Sequence, residues 1–464
     1  MGDAFRTRAA IPRDRFDFDA VPETRQSFET ALEKAKAGDR LTVEDGIALL
    51  RTGTDVDGID SDRTEAVRRV ADRRRADVVG DDVTFVANLN NNLTTACDTG
   101  CLFCNFRDSA RTFETEYEGT TRGFTKTPED SRQIVSDAVD RGISEVTAVS
   151  GLHPALVLDE EHRDLLDPED PGHTYTPPSV YDTDPGTYVS QIEAMSVEDV
   201  HVHAITPEEA AHAARGTDWS FEGVYRRLAD AGLDSVPGTA AEILVDEVRE
   251  VICPAKIDTE TWIEAMEGAA AAGLPMTATI MYGHVENERH RIEHLKRVRE
   301  LQDRTGAITE FVPLSFVHEQ TELAARGLVD GGSTTAEDEL MIAVSRLFLD
   351  NVPHIQSSWV KYGDDLGLRM LEGGADDYMG TILSEEITKR AGGEYGEYRT
   401  VADYVEAITS IGRTPVERST DYERRRRIDP DTDPLGPTLG PRADGTPLLD
   451  ESGTGTSDTA AADD

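Results

Sequence analysis

The sequence is poor in positive charge. It sets 47 Lys and Arg against 91 Asp and Glu, a formal net charge of −44 over 464 residues. So deep an acidic excess excludes a basic nucleic-acid binder. Core formers are also scarce. Hydrophobic residues make up 38 % and aromatics 6 %, against roughly 45–50 % apolar in a typical soluble domain, yet a chain of this length can still bury a substantial interior. No stretch reaches the ~18 uninterrupted apolar residues of a membrane span. The opening MGDAFRTRAAIPRDRF lacks the apolar run of a signal peptide, and Arg6 stands where a myristoylation signal needs Ser or Thr. The expectation is a cytoplasmic protein without membrane attachment. Its acids are spread along the chain rather than gathered in a tail, which suits a surface working in concentrated salt, where the Debye length falls to ~3 Å at 1 M.

Cysteine is rare too, but not evenly so. Of the four, Cys97, Cys101 and Cys104 fall together and Cys253 stands apart. In a cytosolic chain such a cluster reads as metal or redox chemistry rather than as a disulfide framework. Cys253 follows Val251 and Ile252 on an apolar stripe and reads as a small buried hydrophobe.

The patterning along the chain divides it. Residues 1–80 read as an N-terminal helical cap, with Phe28 to about Arg75 helical. Short β-rich runs then alternate with helical patterns, at Val83–Asn88, Glu145–Gly151, Asp199–Thr206, Ser235–Gly238, Pro275–Gly283 and Glu310–Phe316. Helix starts are marked by Thr127-Pro128-Glu129-Asp130 and Thr206-Pro207-Glu208-Glu209, a hydroxyl cap before Pro and acids in the first turn. Leu244, Val248, Val251 and Ile252 form one apolar stripe that can pack on the sheet. Strands alternating with helices imply a parallel α/β sheet with right-handed crossovers that curls into a barrel or part of one. The expected architecture is a partial (β/α)6 TIM-like barrel over residues 81–330, interrupted by an acidic surface insertion at 156–179. A C-terminal helical extension at 331–422 follows, with helices around Glu337–Asn351, Asp364–Glu372 and Val401–Ile411, and then a disordered tail at 423–464. The Arg424–Arg427 run reads as a solvated helix end.

The spacing Cys97-x3-Cys101-x2-Cys104 lies directly after the first expected strand, hence in the mouth of the barrel. A structural zinc site normally closes its shell with four protein ligands. Here the nearest later His is His153, and Cys253 is far along the chain. Three thiolates on a 4Fe-4S cluster would leave one iron open.

With Phe103 just before the third cysteine, this motif resembles the radical S-adenosylmethionine enzymes. Longer stretches narrow the resemblance: SGLHP at Ser150–Pro154, DSVPGTAAEILVDEVREVICPAKIDTETW at Asp234–Trp262, TIMYGHVE at Thr279–Glu286, TEFVPLSFVHEQT at Thr309–Thr321 and IQSSWVK at Ile355–Lys361. They resemble the 4-hydroxyphenyl transferases of deazaflavin (FO) biosynthesis, from about Ala31 to Tyr422. The resemblance implies a 4Fe-4S cluster on Cys97, Cys101 and Cys104 and S-adenosylmethionine on its open iron. It further implies that L-tyrosine is cleaved and its 4-hydroxybenzyl group joined to 5-amino-6-(D-ribitylamino)uracil. FO synthase subunit 1 and a reduced electron donor such as ferredoxin are the implied partners. For cofactor binding it points to Phe103, Ser150, Gly151, Glu242, Tyr282 and Gly283, where Ser150 replaces the first of a usual glycine pair. Position in the barrel adds His153, His201 and His203 as candidate substrate contacts, and the resemblance adds Thr381, in a stretch where Met379 departs from an expected glycine pair. Plainer roles stay open: a tight turn at Ser150-Gly151, hydrogen bonding in the barrel wall for His201 and His203, a helix start for Glu242 and a strand end for Gly283. Two rival readings also stand. One is an aminofutalosine-type radical enzyme of menaquinone biosynthesis; the other is a non-enzymatic protein stapled by zinc.

Overall fold

The computed structural model describes residues 27–51, 54–55, 58–59, 61–97, 99–107, 123–163, 183–197, 200–329, 331–381 and 398–436. The helical start is as expected: Phe28–Ala37, Val43–Leu50 and Ser61–Val79. Thr42 and Asp45 cap the second helix reciprocally, and Gly38 ends the first in the left-handed conformation at φ 75°. These helices lie outside the barrel, against the helices Glu288–Thr305 and Thr335–Phe348.

The centre is an α/β barrel of parallel strands. Asn88–Asn90 pairs with Glu145–Ala148, and that strand with His201–Ala204. Single bridges carry the ring through Ser235 and Val236 to Met276–Tyr282. Pro237 has no amide hydrogen to extend that fourth member. The ring continues through Ile308–Ser315 to His354–Ile355. A bridge from Gln356 to Asp377 and the pairing of Asp377–Gly380 with Asp82–Val86 close it. The ring therefore has eight members, the six expected and two more, so the region from 331 on supplies strands as well as its three expected helices at Thr335–Phe348, Trp359–Leu371 and Val401–Ser410.

Three boundaries differ from the sequence reading. Leu156, Val157 and Leu158 are buried, so the front of the expected insertion belongs to the core and only a short helix, Glu160–Arg163, begins it. Residues 164–182 lie outside the described residues. The expected disordered tail starts too early: Arg425–Arg427 is a strand, not a helix end, paired antiparallel with Thr414–Arg418. The expected tail beyond 436 lies outside the described residues. Thr414–Arg418 itself runs parallel to Asp82–Val86, which explains why the first strand breaks at Ala87: its two halves serve different neighbours.

The segment from Thr414 to Ile428 seals the amino-terminal end of the barrel. Arg418 donates to Asp377 at 2.6 Å and faces Glu310 at 3.6 Å. Thr420 reaches Glu145 from the opposite wall. Tyr422 stacks on His354 at 3.8 Å. A barrel interior is ordinarily filled by bulky aliphatic residues. Here the lower lumen is instead a hydrogen-bonded polar lattice, and among the described residues no helix is long and apolar enough to cross a membrane.

Candidate active site

The carboxyl ends of the strands carry strained backbone. Ile205, Ala240, Glu242 and Met379 have φ of 61°, 67°, 46° and 71°, values that cost energy without glycine and concentrate where a site is shaped. Met379 thus keeps the left-handed backbone that a glycine would supply.

The cysteine loop leaves the first strand here. Cys97 and Cys104 are half-buried and Cys101 is buried. Burial pushes the Cys101 and Cys104 thiols up; Cys104 feels Cys97, and Cys101 feels Cys104 and Cys253. Among the described residues no three His, Cys, Asp or Glu converge tightly enough for a single metal ion. Three free thiols on one short loop leave a structural zinc shell of four unfinished, and they are the thiolate donor set that iron–sulfur clusters use. The residues therefore fit an iron–sulfur cluster better than a zinc staple.

The loop is held from two sides. Leu102 donates its amide to Ile252 at 2.8 Å and accepts from Leu323 at 3.0 Å. The stripe helix, Asp246–Ile252, packs Val248, Val251 and Ile252 against Cys101, Leu102 and Phe316, so this stripe covers the cysteine loop. On the other side, the Ser150 hydroxyl accepts the Leu93 amide at 2.6 Å, and Gly151 donates to Thr94 at 2.9 Å. A Cβ on Gly151 would lie 2.3 Å from the Ala96 carbonyl oxygen and 3.1 Å from the Cys97 Cβ. Only glycine lets the second strand end this close to the first cysteine.

Glu209 supports the same corner. It caps helix Pro207–Ala214 reciprocally with Thr206 and accepts the Ser150 amide. Burial pushes its carboxyl from 4.5 up to about 7. Between those values the folded chain holds a proton that the unfolded chain has lost, so stability falls as pH rises through that window. Glu209→Gln has no such slope. We expect its stability relative to the parent to rise by about 3 kcal/mol between pH 4.5 and 8, measured by denaturant unfolding; parallel pH profiles would refute this.

The other sequence candidates divide. Phe103 lies against the apolar nest under the loop, with the Lys256 ammonium 5.8 Å from its ring centroid. Glu242 is not at a helix start. It precedes helix Asp246–Ile252 in a loop, where its carboxylate meets Lys256 at 2.6 Å. Tyr282 sends its side chain away from the lumen to Asp338 and Tyr362, at 2.8 and 2.9 Å, so at the mouth it offers backbone alone. Gly283, at φ 88°, has Ser333 where a Cβ would go, 2.7 Å away, and the Glu286 carboxylate caps its amide.

His201 and His203 do share the lumen face, both 2.7 Å from the Ser235 hydroxyl. Burial holds His203 down at about 4 despite Glu145. His153 follows the second strand, buried and likewise held at about 4. Thr381 uses its hydroxyl to join the eighth strand to the first, accepting from the Asn88 amide at 2.9 Å and donating to the Asn88 carbonyl at 3.1 Å. Sequence reasoning missed Lys256 and Glu209. The signal for Glu209 was present in the capping motif, but its reach to Ser150 is a tertiary fact.

A barrel of this topology with three thiols at its carboxyl mouth defines a radical S-adenosylmethionine class of protein, and the comparisons agree. The model for the Radical SAM superfamily matches residues 91–298, and that for the CofH/MqnC C-terminal region matches 305–430. The chain is 69 % identical over 440 residues to the 5-amino-6-(D-ribitylamino)uracil--L-tyrosine 4-hydroxyphenyl transferase of Haloarcula marismortui, covering 95 % of this chain and 98 % of that one. It is also 69 % identical over 435 residues to that of Halobacterium salinarum, covering 94 % and 96 %. In fold it is similar to methylornithine synthase, with a TM-score of 0.58 at 17 % identity over 85 % of this chain and 99 % of that one. The chain belongs to the family of 5-amino-6-(D-ribitylamino)uracil–L-tyrosine 4-hydroxyphenyl transferases, enzymes of the radical SAM superfamily.

Proposed function

We propose that this chain cleaves L-tyrosine and joins its 4-hydroxybenzyl group to 5-amino-6-(D-ribitylamino)uracil, a step of deazaflavin (FO) formation in the cytoplasm. The observation that carries the reading is the thiol loop at the mouth of the barrel, closed by Gly151 against Cys97, in a chain that matches its relatives almost end to end. Cys97, Cys101 and Cys104 would hold a 4Fe-4S cluster, and Ser150, Gly151, Tyr282 and Gly283 are the residues that would hold S-adenosylmethionine beside it. When bound there, the cluster and cofactor would supply radical chemistry at the barrel mouth.

The protein's own part is to place and to enclose. The sealed floor made by Thr414–Ile428 excludes water from below, as a radical reaction requires. His201, His203 and Ser235 line the lumen with hydrogen-bonding groups for a polar substrate. FO synthase subunit 1 takes the product, and a small reduced carrier such as a ferredoxin delivers the electron. The test is incubation of reduced, anaerobically reconstituted protein with S-adenosylmethionine, tyrosine and the ribityl uracil. The coupled product is expected. Cofactor cleavage without coupling would favour the aminofutalosine-type alternative.

The charge of −44 adds a condition. An acidic electron carrier is repelled at low ionic strength, and so are the chain's own carboxylates from one another, until the Debye length shrinks from ~10 Å at 0.1 M to ~3 Å at 1 M salt. Melting temperature and turnover are both expected to climb over that range. Full activity at about 0.1 M salt with the fold intact would contradict it.

A further inference from the structure

Lys256 is a lysine in an unusual place. Its side chain is 10 % exposed, in the loop after helix Asp246–Ile252, although a surface position would cost nothing. The main chain fixes it there. Lys256 donates its amide to Cys253 at 3.0 Å, Leu102 donates to Ile252 at 2.8 Å, and Ile257 donates to the Glu208 carboxylate at 3.2 Å. The ammonium is thereby held over the ring of Phe103, the residue between Cys101 and Cys104, at 5.8 Å from its centroid. The Glu242 carboxylate accepts from it at 2.6 Å. Its charge counters the effect of burial on both Cys101 and Cys104, while Glu242 opposes it at Cys101.

A cation and an anion are thus fixed at the wall of the cysteine loop in a water-poor setting, where charges are weakly screened. We propose that the Lys256–Glu242 pair sets the reduction potential of the iron–sulfur cluster on Cys97, Cys101 and Cys104. The ammonium favours the reduced form and the carboxylate opposes it. The step concerned is the entry of one electron from a low-potential donor; the cluster gains one negative charge, and no bond or proton is exchanged. Lys256 and Glu242 are positioning residues in this role, which rests on the cluster reading above.

The experiment is a redox titration of the anaerobically reconstituted full chain, without S-adenosylmethionine, followed by electron paramagnetic resonance. Lys256→Met is expected to lower the midpoint potential so that the reduced-to-oxidised ratio at a fixed poise falls about tenfold, the equivalent of about 59 mV for one electron. Glu242→Gln is expected to move it the opposite way, and Lys256→Arg to stay near the parent. Opposite shifts are what charge produces and a packing defect does not. Should Lys256→Met fail to hold its cluster, the rise in Glu242→Gln still decides the matter. Midpoints that do not move, or that move together, overturn the proposal while leaving the cluster in place. Parent protein without bound iron and sulfide overturns the cluster reading itself.

Discussion

Cys101→Ala is expected to lose the cluster and, with it, product formation by about 10³-fold or more, at least roughly 4 kcal/mol of barrier. The thiol is buried in the loop, beside Leu102 with its two backbone clamps, and alanine there removes one of three anchors without enlarging the core. The fold should survive, because the loop is also held by the apolar nest of Val248, Val251, Ile252 and Phe316. Iron and acid-labile sulfide analysis, circular dichroism and the product assay separate these outcomes. A variant that keeps full iron, sulfide and activity would remove Cys101 from the site. The contrast is Cys253→Ala, which the same nest buries beside Cys101 and which should retain its cluster.

Arg418→Met is expected to destabilise the fold by about 3–5 kcal/mol, a drop in melting temperature on the order of 10 °C. Arg418 is the cation between two buried carboxylates, Asp377 at 2.6 Å and Glu310 at 3.6 Å. Burial and the neighbouring Asp377 already push Glu310 up, and Arg418 opposes that. Without the guanidinium, Asp377 keeps the Thr84 hydroxyl at 2.7 Å and the Met379 amide at 2.8 Å, but the charge is uncompensated. Adding Asp377→Asn should recover a substantial part of the loss, since an unpaired buried charge costs more than no pair at all. A melting temperature within a degree or two of the parent would mean that the floor of the barrel does not depend on this pair.

Six of the ring's eight members were legible because their β-rich runs alternate with well-capped helices, and the cysteine loop stood out as a candidate site because three cysteines so close together have few other uses. The remaining strands were hidden by composition. His354–Ile355 is two residues long, Asp377–Gly380 ends in glycine, and Thr414–Arg418 contains a proline and two charges. The polar lumen compounds this. Glu145, Glu310 and Asp377 are buried with the interior His201 and His203, so the usual rule that polar residues point to water misplaces these acids. The arginine run misled for a related reason. Counted alone it is solvated charge, but pairing sets Arg426 against Glu417 at 3.3 Å and Arg427 against Asp82 at 3.0 Å, acids that lie before it in the chain. Lys256 and Glu242 are fourteen residues apart, and no local pattern announces that they meet beside Phe103.

The measurement that bears most directly on the account is magnetic resonance of the reduced, oxygen-free protein with S-adenosylmethionine carrying isotopic labels on its amino nitrogen and carboxyl oxygen. Hyperfine coupling from both labels to one cluster iron is the predicted result. A reduced cluster without coupling to either label, or prepared protein with zinc and no sulfide, would contradict it.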